Sequence, residues 1–317
     1  MNTPEDCHPD SERSRRAKDP LLEVDKPLAP GLYLVATPIG NLEDITLRAL
    51  RVLRSVDRIA CEDTRQTAKL LGHFGIRTPT VSYHAHNENS RASELIEALK
   101  SGGRIAVVSD AGMPGIADPG ATIATDAIRE GISVFPIPGA NAALSALIAS
   151  GLPSENFAFH GFLPSKEGQR RTALEALSVT MMHPKEQATH ILYETPHRIL
   201  DALTDIVAVL GPAQPVVLAR ELTKLHEEFL RGTASELYET LKARPSVRGE
   251  MVLLLGSLPT AGAAETASTT SLVSEVAALM STENLSEKDA LKRVAKARGI
   301  GKSEAYREWQ RNQTRRR

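Results

Sequence analysis

The chain has 317 residues, of which 41% are hydrophobic and 24% are charged, with a formal net charge of −1. This length suggests two domains, and the absence of any run of about 20 apolar residues argues against a transmembrane helix. The polar N-terminus is unlike a secretory signal, and two cysteines, Cys7 and Cys61, cannot form a disulfide framework, so we expect a cytoplasmic protein.

The charges are unevenly distributed along the chain. Residues 286–317 hold eleven Lys or Arg and four Asp or Glu, which leaves 27 basic and 35 acidic residues elsewhere. Basic blocks of this kind are typical of nucleic-acid-binding elements, although a solvated tail is the alternative. Because Ser286 can cap a helix there, we expect a basic helical segment at 272–317, preceded by a linker at 257–271.

The first half of the chain alternates strands with helices. Residues 1–29 carry mixed charges and few large apolar groups, which predicts a disordered tail. An N-terminal α/β domain is expected at 30–152. Its alternation predicts a parallel sheet with helices on both faces. The strands are expected at 31–37, 58–61, 80–83, 104–109 and 132–137.

Three loops of small residues follow strands of this predicted sheet. They begin at Pro38, Ser109 and Pro138, and each leads into a helix. Such loops share the carboxyl edge of a parallel sheet, where ligands bind, so their convergence predicts a ligand site. None reads GxGxxG or has the P-loop pattern, which argues against both of those sites. We interpret Asp118 as a turn residue that can cap the next helix.

Residues 153–256 are expected to form a second α/β domain with a mixed sheet. Its later strands are predicted at 190–194, 216–220, 226–231 and 250–255. We expect the strand at 226–231 to pair with the strand at 250–255 across an intervening helix. No Cys and His cluster has the spacing of a zinc site.

Several blocks of the sequence resemble a single family. Residues 32–46 are similar to the first motif of the tetrapyrrole-methylase superfamily and, more closely, of the ribosomal small-subunit methyltransferase I family. Matching blocks follow in the same order at 62–65, 109–120, 138–141, 193–198 and 219–224. The resemblance implies two α/β domains with the cofactor cleft between them, and a homodimer. It also implies S-adenosylmethionine-dependent methylation of a cytidine 2′-hydroxyl in the decoding region of 16S rRNA, at family position 1402.

The resemblance also implies a set of site residues. Those that would bind S-adenosylmethionine are Pro38, Asp110, Ala111, Gly112, Met113, Ile116, Asn141, Ala142, Phe162 and Met251. A ribose hydroxyl is a poor nucleophile, so a general base or a charge-stabilising cation is expected as well. The candidates for catalysis are Glu62, Asp63, Arg65, Glu194, Arg220 and Lys224. The alternative for these residues is helix capping by Asp63 and ion pairs of the arginines with Glu62, Glu194 and Glu221.

Two other functions stay open at this point. A methyltransferase acting on a small tetrapyrrole is disfavoured by the basic C-terminus and by the blocks at 61–65 and 193–198. A non-catalytic RNA-binding assembly factor is disfavoured by the intact small-residue loops. The expected partners are therefore 16S rRNA or the small ribosomal subunit and a second copy of the chain, with no membrane.

Overall fold

The computed structural model divides the chain into two compact units, Met1–Ser257 and Leu258–Arg317. It describes residues 27–84, 88–181, 188–257, 275–276, 279–281, 285–297, 301, 305–307 and 309. Most of the expected tail at 1–29 and of the expected linker at 257–271 lies outside the described residues. The domain boundaries proposed from the sequence stay predictions.

The first unit begins with a parallel sheet. Its strands lie in the order β3-β2-β4-β1-β5, and each neighbouring pair is parallel. Most positions of the central strands are buried, as parallel sheets with two covered faces require. The predicted parallel sheet is thus confirmed. The strands are β1 Gly31–Val35, β2 Arg58–Cys61, β3 Thr80–Ser82, β4 Arg104–Val108 and β5 Val134–Ile137.

Helices cover both faces of this sheet. One face carries α1 and α2, and the opposite face carries α3 and α4. The side chain of Thr46 accepts a hydrogen bond from the first turn of α1, and that of Asp63 accepts one from the first turn of α2. Capping by Asp63 is the alternative expected from the sequence, and the two caps fix where the helices begin. The helices are α1 Leu47–Ser55, α2 Thr64–His73, α3 Glu88–Lys100 and α4 Ala121–Arg129, with a short 3-10 helix at Leu42–Asp44.

A second, mixed sheet follows, as expected. The strands β6 Phe157–Phe162, β7 Thr189–Glu194, β8 Pro215–Arg220, β9 Glu228–Thr233 and β10 Met251–Leu255 lie in the order β6-β7-β10-β8-β9. The expected pairing of the strand near 226–231 with that near 250–255 is wrong. β9 is an antiparallel partner of β8, and β10 lies between β7 and β8. Every residue of β10 is buried, which favours a central position, whereas the partly exposed β9 suits an edge.

Helices on the two faces of the second sheet complete the first unit. α5 Ala142–Ser150 packs on one face, and α6 Glu167–Met181, α7 Ile199–Leu210 and α8 Ala234–Lys242 pack on the other. A buried ion pair joins α6 to α7, since Nε of Arg170 lies 2.7 Å from Oδ2 of Asp205. Nε of Arg171 lies 2.7 Å from Oδ1 of the same carboxylate.

The described part of the second unit is helical, in agreement with the expected C-terminal segment. Helix α9, Glu287–Ala297, begins after Ser286, whose hydroxyl accepts a hydrogen bond from the backbone N–H of Asp289 at 3.2 Å. Leu291 and Val294 of this helix pack in a small apolar core with Trp309.

Candidate active site

The three small-residue loops meet at the carboxyl edge of the parallel sheet. The backbone N–H of Thr37 donates to the carbonyl of Gly112 at 2.9 Å, and the N–H of Gly112 donates to the carbonyl of Thr37 at 3.0 Å. A Cβ on Gly139 would lie only 2.9 Å from the Cβ of Ala36, so the third loop packs directly on the first. The predicted convergence of these loops is confirmed, and small residues permit it.

A cavity of about 320 Å³ lies between these loops and the second sheet. This volume is within the range of small-molecule sites, about 300–1,000 Å³. Ile39 and the loop after β4 form one side, and the ends of β7, β8 and β10 form the other. Apolar side chains such as Phe162, Leu222 and Met251 make up much of the wall, and Asp118, Asn141 and Glu194 contribute polar groups.

Most of the residues expected to bind the cofactor line this cavity. Pro38 and Asp110 do not line the cavity, although Pro38 directly precedes Ile39, which does line it. The Asp110 carboxylate accepts a hydrogen bond from the backbone N–H of Asp63 at 3.2 Å. It therefore connects the 62–65 loop to the loop that forms the cavity. The expected residues that line the cavity are Ala111, Gly112, Met113, Ile116, Asn141, Ala142, Phe162 and Met251.

Among the described residues that line the cavity, Glu194 is the one that was expected to act in catalysis. Its side chain is 1% exposed, and Oε1 lies 3.4 Å from Nε of Arg198. Oε1 also accepts a hydrogen bond from the backbone N–H of Thr195 at 2.8 Å. Oε2 is buried and has no partner among the described residues. Burial has the largest effect on this carboxyl and raises its pKa.

Two further members of the expected catalytic set, Asp63 and Arg65, pair with each other near the cavity. The Asp63 carboxylate accepts hydrogen bonds from the backbone N–H of Arg65 at 2.8 Å and from its guanidinium at 2.9 Å. These bonds lower the pKa of Asp63 to about 2. The adjacent Glu62 differs, because burial and the nearby Asp110 carboxylate raise its pKa.

Arg220 and Lys224 are also held in ion pairs. Nε of Arg220 lies 3.0 Å from Glu228, so the alternative pairing of Arg220 with Glu221 is wrong. Glu221 has a φ of 53°, and its carboxylate lies 2.8 Å from Nζ of Lys224 instead. Lys224 also lies 3.0 Å from Glu250, which lines the cavity.

Asp118 is the residue that the sequence interpretation missed. Helix α4 begins after Gly120 without a side-chain cap, so the expected capping role of Asp118 is wrong. Asp118 lines the cavity, and its charge is close enough to Tyr193 to add to the rise in the pKa of that tyrosine, which burial mainly causes. Burial, followed by the nearby carboxylates of Glu62 and Asp110, raises its pKa to about 6. In sequence it resembles any turn Asp before a proline, and only the folded structure distinguishes it.

The cavity suits an organic ligand better than a metal ion. Within the described ranges, no group of three or more His, Cys, Asp or Glu side chains is arranged to hold a metal. Apolar walls with a few carboxylate and amide groups are typical of sites for organic cofactors. No helix within these ranges combines the length and the hydropathy of a membrane span.

Comparison with known proteins now identifies the family. The chain is 49% identical to the ribosomal RNA small subunit methyltransferase I of Halalkalibacterium halodurans over 87% of this chain and 93% of that protein. It is 51% identical to the protein of the same name from Bacillus subtilis, over 71% and 74% of the two chains. The chain belongs to this methyltransferase family. Residues 31–238 also match the model of the tetrapyrrole (corrin/porphyrin) methylases.

Solved structures of low sequence identity show the fold. A diphthine synthase is 18% identical with a TM-score of 0.54, over 71% of this chain and 89% of that one. The uroporphyrin-III-C-methyltransferase of Thermus thermophilus is 22% identical with a TM-score of 0.50, over 72% and 94%. The two-sheet architecture of this methyltransferase is therefore the tetrapyrrole-methylase fold, as the resemblance implied.

Proposed function

We propose that this methyltransferase transfers a methyl group from S-adenosylmethionine to the 2′-hydroxyl of a cytidine in the decoding region of 16S rRNA, at family position 1402. The observation that carries the proposal is the cavity built from the motif loops of an rRNA methyltransferase family. The partner is 16S rRNA or the small ribosomal subunit. We further propose that the enzyme acts as a homodimer in the cytoplasm.

The residues of the cavity fit S-adenosylmethionine. The apolar walls at Phe162, Leu222 and Met251 suit an adenine ring. The unpartnered Oε2 of Glu194 suits a hydrogen-bond donor of the ligand, because a buried acceptor without a partner is costly. Gly112, with a φ of 81°, presents its backbone to the cavity without a side chain. When bound, S-adenosylmethionine supplies a methyl group on a positively charged sulfur.

Water exclusion and proton removal are then the main tasks of the chain. Transfer forms an oxygen–carbon bond as the carbon–sulfur bond breaks, and the hydroxyl proton must pass to a base. We assign this base to Asp118, which lines the cavity together with Tyr193. A carboxyl whose pKa is about 6 is largely ionised at neutral pH and accepts a proton more readily than an ordinary Asp. The apolar walls keep the reacting groups dry.

The other candidates for catalysis receive supporting roles in this proposal. We assign Arg65, whose side chain is 87% exposed, to a contact with an RNA phosphate. Glu62 raises the proton affinity of Asp118, and Asp63 orients Arg65. Arg220 and Lys224 hold the turn that contains Glu221 through their ion pairs.

The experiment that tests the function uses radiolabelled S-adenosylmethionine with either naked 16S rRNA or small ribosomal subunits. We expect label in a cytidine ribose, located by nuclease digestion, and a calorimetric signal for cofactor binding. Label in a base would contradict the assigned chemistry. Cofactor binding without transfer to either RNA substrate, but with transfer to a small tetrapyrrole, would favour the alternative enzyme. No binding at millimolar cofactor would leave only a non-catalytic RNA-binding role.

A further inference from the structure

Helices α1 and α2 differ in charge from the other helices of the first unit. α1 reads LRALRVLRS and α2 reads TRQTAKLLGH, so both carry basic residues and neither has an Asp or Glu. The helices α3, α4, α6, α7 and α8 all contain acidic residues, and α5 has no charged residue. This contrast is notable because the chain outside residues 286–317 has more acidic than basic residues.

The basic side chains of α1 and α2 lie on the solvent side of these helices. In α1, Arg48, Arg51 and Arg54 recur every third residue, while Ala49, Leu50, Val52 and Leu53 are buried in the core. In α2, Arg65 and Lys69 are one turn apart and exposed, while Thr67 and Leu71 are buried. We call the surface formed by Arg48, Arg51, Arg54, Arg65 and Lys69 the basic face.

The two helices form one continuous surface. The guanidinium of Arg54 donates to the carbonyl of Phe74, the C-cap residue that directly follows α2, at 3.1 Å. Among the described residues, no carboxylate forms a salt bridge with Arg48, Arg51 or Lys69. Their charges are therefore available to an external anion.

The basic face begins beside the cavity. α1 follows the loop that contains Ile39, which lines the cavity. α2 follows Asp63, whose backbone N–H is bound by Asp110 of the loop that forms the cavity. Helices of a parallel sheet run opposite to its strands, so both start at the ligand-binding edge. From Arg48 to Arg54 the cations extend about 9 Å along the helix, at 1.5 Å per residue.

We propose that the basic face is the surface on which the sugar–phosphate backbone of the substrate rRNA docks. This inference rests on the proposed function, and it names where the RNA outside the cavity binds. Arginine and lysine contacts to phosphates position an RNA without reading its sequence. A membrane surface fits less well, because membrane-bound amphipathic helices insert an apolar face, and here the apolar faces of α1 and α2 are buried in the core.

The test compares two full-length variants that each lose three cations. The first, R48Q/R51Q/K69Q, neutralises part of the basic face without touching the cavity. The matched control, K100Q/R129Q/K242Q, neutralises exposed cations of α3, α4 and α8. Binding to small ribosomal subunits is measured from low to high salt, together with kcat, the KM for RNA and the calorimetric Kd for S-adenosylmethionine.

We expect the basic-face variant to bind RNA at least tenfold more weakly than the wild type. The plot of log K against log salt concentration should also become less steep by about 2, since each of the three lost phosphate contacts contributes about 0.7–0.9 to its slope. Its Kd for S-adenosylmethionine and its kcat at saturating RNA stay unchanged, while the KM for RNA rises. The control variant keeps the slope of the wild type.

An unchanged slope in the basic-face variant, or an equal loss in the control, would overturn the inference while leaving the proposed function intact. Loss of binding to phosphatidylserine vesicles with full retention of RNA binding would assign the face to a membrane and also overturn it. Wild-type protein that binds S-adenosylmethionine but neither binds nor methylates the subunit would overturn the proposed function as well.

Discussion

Replacing Asp118 with Asn removes the proposed proton acceptor and keeps the size of the side chain. The expected result is a loss of methyl transfer by about 10²–10⁴-fold, the usual contribution of a general base. The Kd for S-adenosylmethionine should change little, because an Asn side chain preserves the shape of the cavity. The wild-type rate should fall about tenfold per pH unit below pH 6, where the Asp118 carboxyl becomes protonated. The variant should lack this acid limb.

The same substitution should stabilise the protein at neutral pH. The pKa of Asp118 rises from 3.8 in a free side chain to about 6 in the fold, so the folded protein holds this proton more tightly than the unfolded chain. Stability therefore decreases as the pH rises from about 4 to about 6 and is constant above that window. At about 1.4 kcal/mol per pH unit the loss is at most about 3 kcal/mol, and partial exposure reduces it to about 1–2 kcal/mol.

The assay for this prediction combines kinetics with urea denaturation. D118N should be about 1–2 kcal/mol more stable than the wild type at pH 8 and equally stable at pH 4. The control D126N removes the carboxylate of an exposed ion pair on α4 and should change neither rate nor pH profile. A D118N enzyme that keeps the acid limb would refute the assignment of the base. A tenfold weaker Kd for S-adenosylmethionine with unchanged kcat would instead assign Asp118 to cofactor binding.

E194Q should weaken S-adenosylmethionine binding about 10–100-fold by calorimetry, because an amide replaces one oxygen of a buried carboxylate; an unchanged Kd would exclude this contact. D205A should lower the free energy of unfolding by about 3–5 kcal/mol in urea titrations, because it leaves the buried Arg170 without its partner; a loss below about 1 kcal/mol would contradict this. Deleting residues 286–317 should weaken RNA binding and flatten its salt dependence, and unchanged binding would show that this segment is only a solvated end.

The sequence predicts the parallel half of the fold well because its signals are local. Each strand, small-residue loop and helix follows in turn, and caps such as Thr46 and Asp63 mark where helices begin. The convergence of the loops then follows from the geometry of any parallel sheet. Most of the residues that the family motifs predict to bind the cofactor line the cavity, because those motifs include the three converging loops.

The mixed sheet was harder to predict because its pairing depends on distant segments. Both β9 and β10 have the composition of strands, and the short connections allow either order. The order of these strands in the sheet is decided by the burial of β10 on both faces. That burial comes from helices on the two faces of the second sheet, most of which are distant from β10 in sequence. The ion pair of Arg220 with Glu228 likewise forms only because β8 pairs with β9. The sequence alone points instead to Glu221, because it is adjacent to Arg220 along the chain.

The roles of Asp118 and Glu194 depend on the charges that the fold places around each carboxyl. Glu194 lies near Arg198 and Arg170, which favour its ionised form and oppose the effect of burial. Asp118 is instead surrounded by other carboxylates, those of Glu62 and Asp110, which add to the effect of burial. Two carboxyls of one cavity in such different surroundings are suited to different tasks. Asp118 is the better proton acceptor. Glu194 is the better fixed acceptor for the cofactor, because neighbouring donors hold Oε1 in place while Oε2 has no partner among the described residues.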